Sequence, residues 1–364
     1  MPYSRFRSSL FAVLCIFTPL LCSAGQAAQN SPADQAFLSF QAPDSTGTYP
    51  QSINDLMVVT GYYTTSWGAT RGFVRYADGS ITTFAVPGAQ ATKPVSINHA
   101  GDITGFYEVP PQFTDHSFVS AVPQGFVRTA DGTITTFGNA PSGLADTHFV
   151  WFSPVAINDA GEIVGNQSDG PIPGVFTRSA SGVIEEFTLS STNGYTEATG
   201  MNASGAIVGF SSQSGTSAQG FLWSGNGTPP SATANTTTSI IVDGSTWTTP
   251  TAINAEGDVI GCYGNLLTFM RDQEDVITTI YIPGAISSCG AAINDAGTIV
   301  GFFVSATQVH SGFVKPLHGE VTPFVYPGAT STTPTSVNNL DVITGYYSRG
   351  SATEGFLLVG MDPE

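Results

Sequence analysis

The chain has 364 residues, of which 27 are Asp or Glu and only 10 are Lys or Arg, so its formal net charge at pH 7 is −17. A surface this acidic repels phosphate backbones, which excludes nucleic acid from the expected partners.

Residues 1–28 have the pattern of a secretory signal peptide. Arg5 and Arg7 give a basic start, and residues 10–21 form an apolar stretch that is too short to span a bilayer. Cleavage is expected near Ala24 or Ala27. It would remove two Arg and no acidic residue, which changes the net charge to −19. No later apolar run reaches membrane length, so the sequence predicts an exported protein, secreted or periplasmic, without a membrane span.

After the signal, a motif of a small residue, any residue and Asn recurs seven times, and Gly follows each Asn seven positions later. Successive Asn residues are 44, 60, 44, 52, 40 and 44 positions apart. Repeats of this length with several short strands are typical of β-propellers. The motifs define repeat units 1 to 7 in chain order, and they end at Asn54, Asn98, Asn158, Asn202, Asn254, Asn294 and Asn338.

The repeated residues are interpreted as framework. A small residue two positions before each Asn fits the crowded centre of a ring, where first strands converge. The repeated Gly is expected where neighbouring sheets approach closely.

Unit 2 shows the predicted strands most clearly. Residues 95–98 and 103–107 form one pair of β-rich runs. Residues 125–128 and 133–137 form another, joined by the hairpin signal Asp131-Gly132. Four such runs per unit predict a four-stranded antiparallel blade. Residues 29–364 are therefore predicted to form a single all-β domain, a seven-bladed β-propeller.

The two ends of the repeat array are incomplete in a complementary way. Unit 7 has sequence for three strands before the chain ends, and Ala36 to Phe40 resembles a fourth strand that precedes unit 1. The N-terminal strand is therefore predicted to complete the last blade and to remove its open edge.

Two cysteines, Cys262 and Cys289, remain after signal cleavage. In an oxidising compartment such a pair is expected to form a disulfide. Neither has a His or a second Cys at ligand spacing, and no metal-binding, phosphate-binding or hydrolase motif occurs elsewhere. No metal site and no cofactor are therefore expected.

Insertions fall mainly on one predicted face of the propeller. This loop face carries the connections between second and third strands and from each fourth strand to the next unit. The opposite turn face carries the short turns. Functional residues concentrate on loops that a rigid scaffold holds. The candidate ligand-binding residues on the loop face are Trp67, Asp115, His116, Asp146, His148, Trp151, Trp247, His310 and Arg349.

His116, His148 and Tyr195 are the candidate catalytic residues. A carboxylate beside an imidazole can orient it as a general base, and aromatic rings can stack on sugars. Unit 2 is predicted to dominate any site because it contains the longest aromatic-rich insertions, residues 108–124 and 138–153.

Several short phrases resemble the bacterial extracellular repeats of the HAF family, over nearly all of the mature chain. They include Gly125-Phe126-Val127, Ile134-Thr135-Thr136-Phe137 and Pro87-Gly88-Ala89. The resemblance implies a secreted or surface-associated repeat protein. It implies no activity.

Three functions are compatible with these observations. The first is an exported, monomeric recognition module that binds a glycan or protein partner through the loop face. The second is a secreted polysaccharide lyase or hydrolase that uses His116, His148 or Tyr195. The third is a purely structural surface repeat. The complete repeat framework without a catalytic signature favours the first.

Overall fold

The computed structural model of the protein describes residues 36–110, 112–114, 117–119, 122–138, 151–168, 173–189, 194–213, 217–224 and 237–360, and this part of the chain is all-β. None of these residues forms a helix, so the described chain contains no helix that is long and apolar enough to cross a membrane.

Each Asn motif lies at the end of a strand that begins an antiparallel array. Strand β1 (Ala36–Phe40) comes before unit 1. Unit 1 contains β2 (Ser45–Ile53), β3 (Val59–Thr65), β4 (Thr70–Arg75) and β5 (Ile81–Phe84). Unit 2 contains β6 (Ala91–Ile97), β7 (Ile103–Glu108), the separate hairpin β8 (Gln112–Thr114) and β9 (Ser117–Val119), then β10 (Pro123–Arg128) and β11 (Ile134–Phe137).

The remaining units repeat this order. Unit 3 contains β12 (Trp151–Ile157), β13 (Ile163–Ser168), β14 (Gly174–Arg178) and β15 (Ile184–Phe187). Unit 4 contains β16 (Tyr195–Met201), β17 (Ile207–Ser212), β18 (Gln219–Trp223) and β19 (Thr237–Ile240). Unit 5 contains β20 (Thr248–Ile253), β21 (Val259–Tyr263), β22 (Leu267–Arg271) and β23 (Ile277–Ile280). Unit 6 contains β24 (Ala285–Ile293), β25 (Ile299–Ser305), β26 (His310–Lys315) and β27 (Thr322–Phe324), and unit 7 contains β28 (Ser331–Val337), β29 (Ile343–Arg349) and β30 (Ala352–Val359).

The N-terminal strand β1 pairs antiparallel with β30 of unit 7. On one side, the Phe37 ring packs on the Phe324 and Phe356 rings, with centroids 6.2 and 5.7 Å away. On the other side, the Phe40 ring lies edge-on to Phe73 of unit 1 at 6.0 Å. Strand β1 therefore contributes to the cores of units 6, 7 and 1.

First strands extend further towards the loop face than the sequence predicts, since β6 begins at Ala91 and not at residue 95. A fully buried Thr explains the extra length. The hydroxyl of Thr92 accepts a hydrogen bond from the backbone N–H of Val86 at 3.0 Å. In the same way, the hydroxyls of Thr48 and Thr332 accept hydrogen bonds from backbone N–H groups of the connections that precede their strands. These hydroxyls satisfy backbone donors that the connections would otherwise bury without partners.

The repeated Gly is required by a close approach within a unit. A Cβ atom at Gly209 would lie 2.1 Å from the carbonyl oxygen of Glu197, and one at Gly105 would lie 2.2 Å from that of Lys93. The sequence predicts a close approach between neighbouring sheets at this Gly, and the shortest approach lies instead between two strands of one sheet. The crowding comes from the adjacent first strand, which carries a β-bulge beside each Gly, for example between Ala198 and Gly200.

A disulfide joins Cys262 of β21 to Cys289 of β24, with a Cα–Cα distance of 5.2 Å. The predicted pairing is confirmed, and it links unit 5 to unit 6.

Candidate ligand-binding site

The motif Asn residues join neighbouring units through a chain of hydrogen bonds. The Asn side-chain amide donates to the backbone carbonyl of the next motif Asn, as Asn54 does to Asn98 at 3.0 Å. The same bond runs from Asn338 of unit 7 to Asn54 of unit 1, also at 3.0 Å. Unit 3 is the exception, because Asn158 donates to the carboxylate of Glu162. The motif therefore holds the ends of the first strands together on the turn face.

First strands also contact one another along the series from β2 to β28, and β28 contacts β2. The first strands of consecutive units thus lie side by side. On the turn face a cavity of 180 Å³ opens among units 1 to 4, and Asp55, His99, Asp159 and Met201 are part of its lining. Its carboxylates already accept structural hydrogen bonds, since the backbone N–H of His99 donates to Asp159 at 2.8 Å.

Acidic side chains are concentrated in the turns of this same face. They include Asp55, Asp78, Asp102, Asp131, Asp159, Glu162, Asp258, Asp272, Asp295, Glu320 and Asp341. Hydrogen bonds from Ser80 and from Thr129 lower the pKa values of the Asp78 and Asp131 carboxyls, respectively. No group of three or more His, Cys, Asp or Glu within the described residues could hold a metal ion.

Nearer to the loop face, two equivalent positions of each unit lie opposite each other on the first and second strands. One is the fifth residue before the motif Asn, and the other directly follows the repeated Gly. Lys93 pairs with Phe106, and Glu197 pairs with Phe210. We term this set the channel collar: Tyr49, Tyr62, Lys93, Phe106, Ser153, Asn166, Glu197, Phe210, Thr249, Cys262, Cys289, Phe302, Thr333 and Tyr346. Apart from the disulfide, all of these residues are partly exposed.

Units 7, 1 and 2 contribute an aromatic wall to the collar. The Tyr49 ring stacks on Tyr62 at 5.0 Å and meets Tyr346 edge-on at 5.5 Å. The Lys93 ammonium lies 5.4 Å from the centroid of Phe106 and 5.9 Å from that of Tyr62, which is cation–π geometry. Burial, together with the nearby Tyr346 and Tyr49, raises the pKa of Tyr62. The aromatic wall therefore already binds a cation, the ammonium group of Lys93.

Unit 4 contributes the opposite charge. Glu197 and Tyr195 are two residues apart on β16, so their side chains lie on the same face of the strand as the paired Phe210. The rings of Tyr195 and Phe210 meet edge-on at 5.9 Å. The Glu197 carboxylate makes no hydrogen bond or ion pair with any described residue, and burial raises its pKa. Glu197 is therefore an uncompensated carboxylate in the collar.

We expect Glu197→Gln to raise the melting temperature at pH 7 by about 2 °C. The folded-state pKa of Glu197 lies above its unfolded value, so its contribution to stability is complete below the unfolded pKa and is lost as the pH rises through the folded pKa. The neutral amide avoids that loss at pH 7 and has no advantage at pH 4. Thermal unfolding at both pH values measures this. An equal gain at both values would contradict the assignment to ionisation.

Several of the residues predicted from the sequence can be located. Trp151, Tyr195 and Trp247 occupy the same position, seven residues before the motif Asn, in the consecutive units 3, 4 and 5. Tyr195 and Trp151 begin first strands and do not lie in loops. The structure therefore places these three residues at neighbouring points on the loop-face side of the collar.

The other predicted residues lie apart from this group. Trp67 is 87 % exposed in a turn of unit 1, and His310 begins β26 of unit 6. Arg349 is engaged within unit 7: its guanidinium lies 5.6 Å from the rings of Tyr326 and Tyr347 and donates to the carbonyl of Pro327 at 2.8 Å. Asp115, His116, Asp146 and His148 lie outside the described residues.

The channel collar is not among the sites predicted from the sequence. A signal was present, because the residue after the repeated Gly is aromatic in most units, as in Gly105-Phe106 and Gly209-Phe210.

Comparisons with known structures identify the architecture. No protein-family model matches the chain, and a search of curated proteins found no similar sequence. A streptogramin B lyase structure is similar with a TM-score of 0.56 and 12 % identity, over 89 % of this chain and 98 % of the lyase. The chain has a β-propeller-like fold.

Two further structures agree with this propeller-like fold. An ulvan lyase of a polysaccharide lyase family, bound to a GlcA and sulfated rhamnose unit, has a TM-score of 0.52 and 11 % identity, over 90 % of this chain and 96 % of the lyase. YCF48 bound to a D1 peptide has a TM-score of 0.50 and 10 % identity, over 92 % of this chain and 99 % of YCF48. At such low identity the similarity shows the fold alone. It supports a propeller-like repeat and names no HAF-family protein.

Proposed function

We propose that the protein is an exported, monomeric recognition module, a closed seven-bladed propeller that binds a glycan or protein partner on its loop face, within the channel collar. The signal-peptide pattern and the Cys262–Cys289 disulfide support export, because structural disulfides form in oxidising compartments.

Contacts between the first and last units support the closed ring. The amide of Asn338 donates to the carbonyl of Asn54, and the hydroxyl of Thr335 donates to the carbonyl of Pro50 at 3.1 Å. Strand β1 supplies a fourth strand to unit 7, which gives every unit four strands in the same order.

The observation that carries the binding function is the group of partly exposed aromatic side chains in the collar, which is contiguous in units 7, 1 and 2. Exposed apolar surface costs free energy in a monomer, and it marks ligand or partner sites when it is contiguous. Ligand sites combine such surfaces with a few polar groups, which Lys93, Glu197 and Ser153 provide here. An aromatic residue at this position is not required for folding, since unit 3 forms its four strands with Asn166 there.

Binding to an array of glycans and peptides tests this proposal with two matched variants. Phe106→Ala removes a collar ring, and Trp67→Ala removes the most exposed aromatic ring outside the collar among the described residues. We expect a loss of about tenfold or more in affinity for Phe106→Ala and less than about threefold for Trp67→Ala, since buried aromatic anchors dominate binding energy. A larger loss of affinity for Trp67→Ala than for Phe106→Ala would place the site on the outer loops. Absence of any ligand would favour a structural repeat.

The second candidate function is a polysaccharide lyase or hydrolase. The observation that favours it is the position of Tyr195 beside Glu197, a carboxyl group whose pKa burial raises, because a general acid or base works best when its pKa is close to the operating pH. Turnover of anionic or neutral polysaccharides that disappears in Tyr195→Phe, while the variant still binds the polymer, would establish the enzyme.

A further inference from the structure

We propose that the collar ligand is a glycan with free amino groups, such as a glucosamine polymer, and that Glu197 binds its ammonium group. This inference rests on the proposed function only in placing the ligand in the collar.

The first argument is the state of the Glu197 carboxylate. It is half-buried, and no described residue neutralises it or donates a hydrogen bond to it. Lys93 is the cationic member of the collar, but its ammonium is held over the rings of Phe106 and Tyr62. A buried or half-buried carboxylate is stabilised by an opposite charge, so a ligand cation would supply the partner that the chain does not.

The second argument is the aromatic surface next to this carboxylate. Phe210 is the cross-strand neighbour of Glu197, and Tyr195 meets Phe210 edge-on at 5.9 Å. Aromatic faces beside a carboxylate bind ammonium groups by cation–π attraction. Lys93 over Phe106 shows that the equivalent aromatic position of unit 2 accommodates an ammonium group.

The third argument concerns the rest of the ligand. Ser153, Thr249 and Thr333 are collar members whose hydroxyls bind no described side chain or backbone group. Hydroxyls between aromatic rings suit a pyranose, which presents apolar faces for stacking and hydroxyl groups at its edge. The strong net negative charge of the protein also attracts a polycation over distance.

The test compares two tetrasaccharides that differ only in their amino groups: the tetramer of glucosamine and the tetramer of N-acetylglucosamine. Calorimetric titration at pH 6 is expected to show about tenfold tighter binding of the glucosamine tetramer, the size of one charge-assisted hydrogen bond. Glu197→Gln should abolish this preference. Glu185→Gln, on the exposed outer strand β15, should keep it.

The possible outcomes separate this inference from the proposed function. Equal affinity for the two tetramers, or a preference that survives in Glu197→Gln, would overturn the ammonium assignment. In that case, weaker binding of both tetramers by Phe210→Ala would still support a collar that recognises glycans. A trilysine peptide that binds more tightly than the glucosamine tetramer, and depends on Glu197, would overturn the glycan in favour of a basic peptide. No binding of any of the three probes would overturn this inference alone, because the array of glycans and peptides tests the proposed function separately.

Discussion

Deletion of residues 29–41, which removes β1, is expected to lower the melting temperature by about 10 °C and to cause aggregation, because it costs about 5 kcal/mol and exposes the edge of β30. Five backbone positions of β1 pair with β30, from Ala36 opposite Val359 to Phe40 opposite Gly355. The deletion also removes the Phe37 and Phe40 rings from the cores of units 6, 7 and 1. Thermal unfolding and size-exclusion chromatography measure both effects.

Two point variants separate packing from strand pairing. Phe37→Ala removes an inward ring and is expected to cost about 3 kcal/mol. Leu38→Ala keeps the strand and removes a side chain that is 48 % exposed, so its effect should stay within about 0.5 kcal/mol. A synthetic peptide of residues 34–44 should restore part of the lost stability of the deletion variant. An unchanged melting temperature after deletion would show that β1 does not close the ring.

Gly209→Ala is expected to destabilise the protein by about 3 kcal/mol or more, because a core site without space forces backbone movement. The new Cβ would lie 2.1 Å from the carbonyl oxygen of Glu197 and 2.9 Å from the Cα atom of Ala198, and backbone atoms cannot rotate away. The displacement would reach Glu197 itself, so ligand binding in the collar should weaken together with stability. Denaturant unfolding and the tetrasaccharide titration measure the two effects.

Gly200→Ala is the matched control on the same pair of strands. Its Cβ would meet its nearest neighbours, Ala252 and Val208, at 3.4 Å, which is ordinary van der Waals contact. Units 3, 5 and 6 have Ala at this position. We expect no loss of stability, and a gain of up to about 1 kcal/mol from reduced freedom of the unfolded chain. Equal destabilisation by both substitutions would contradict the steric role of the repeated Gly.

The sequence predicts the strand order well because each repeat unit is subject to the same steric constraint. A small residue two positions before Asn is needed where first strands converge, and the Ser52 hydroxyl accepts a hydrogen bond from the Ile97 backbone of the next unit at 3.4 Å. The predicted disulfide followed from composition alone. The starts of the first strands were missed because the buried Thr92 resembles any other strand Thr.

The channel collar was harder to predict because its members differ between units. Lys93, Ser153 and Glu197 occupy the same repeat position but share no chemical property, so no motif reveals them. Trp151 and Trp247 follow connections of different length, so the sequence does not show directly that they occupy the same repeat position. Only the pairing of first and second strands shows which residues face the same space, and the β-bulge before each motif Asn shifts that pairing by one residue.

The pairing of β1 with β30 determines how the protein can be attached to a surface. Ala36 lies opposite Val359, so the start of β1 and the end of β30 lie side by side, where β30 reaches the turn face. A tag, linker or surface support joined beside either of these two residues would therefore hold the protein by its turn face, where the acidic side chains are concentrated. The collar would then stay open to solvent. Immobilisation at this point should then preserve access for large polymers, whereas coupling through Lys93 of the collar would obstruct it.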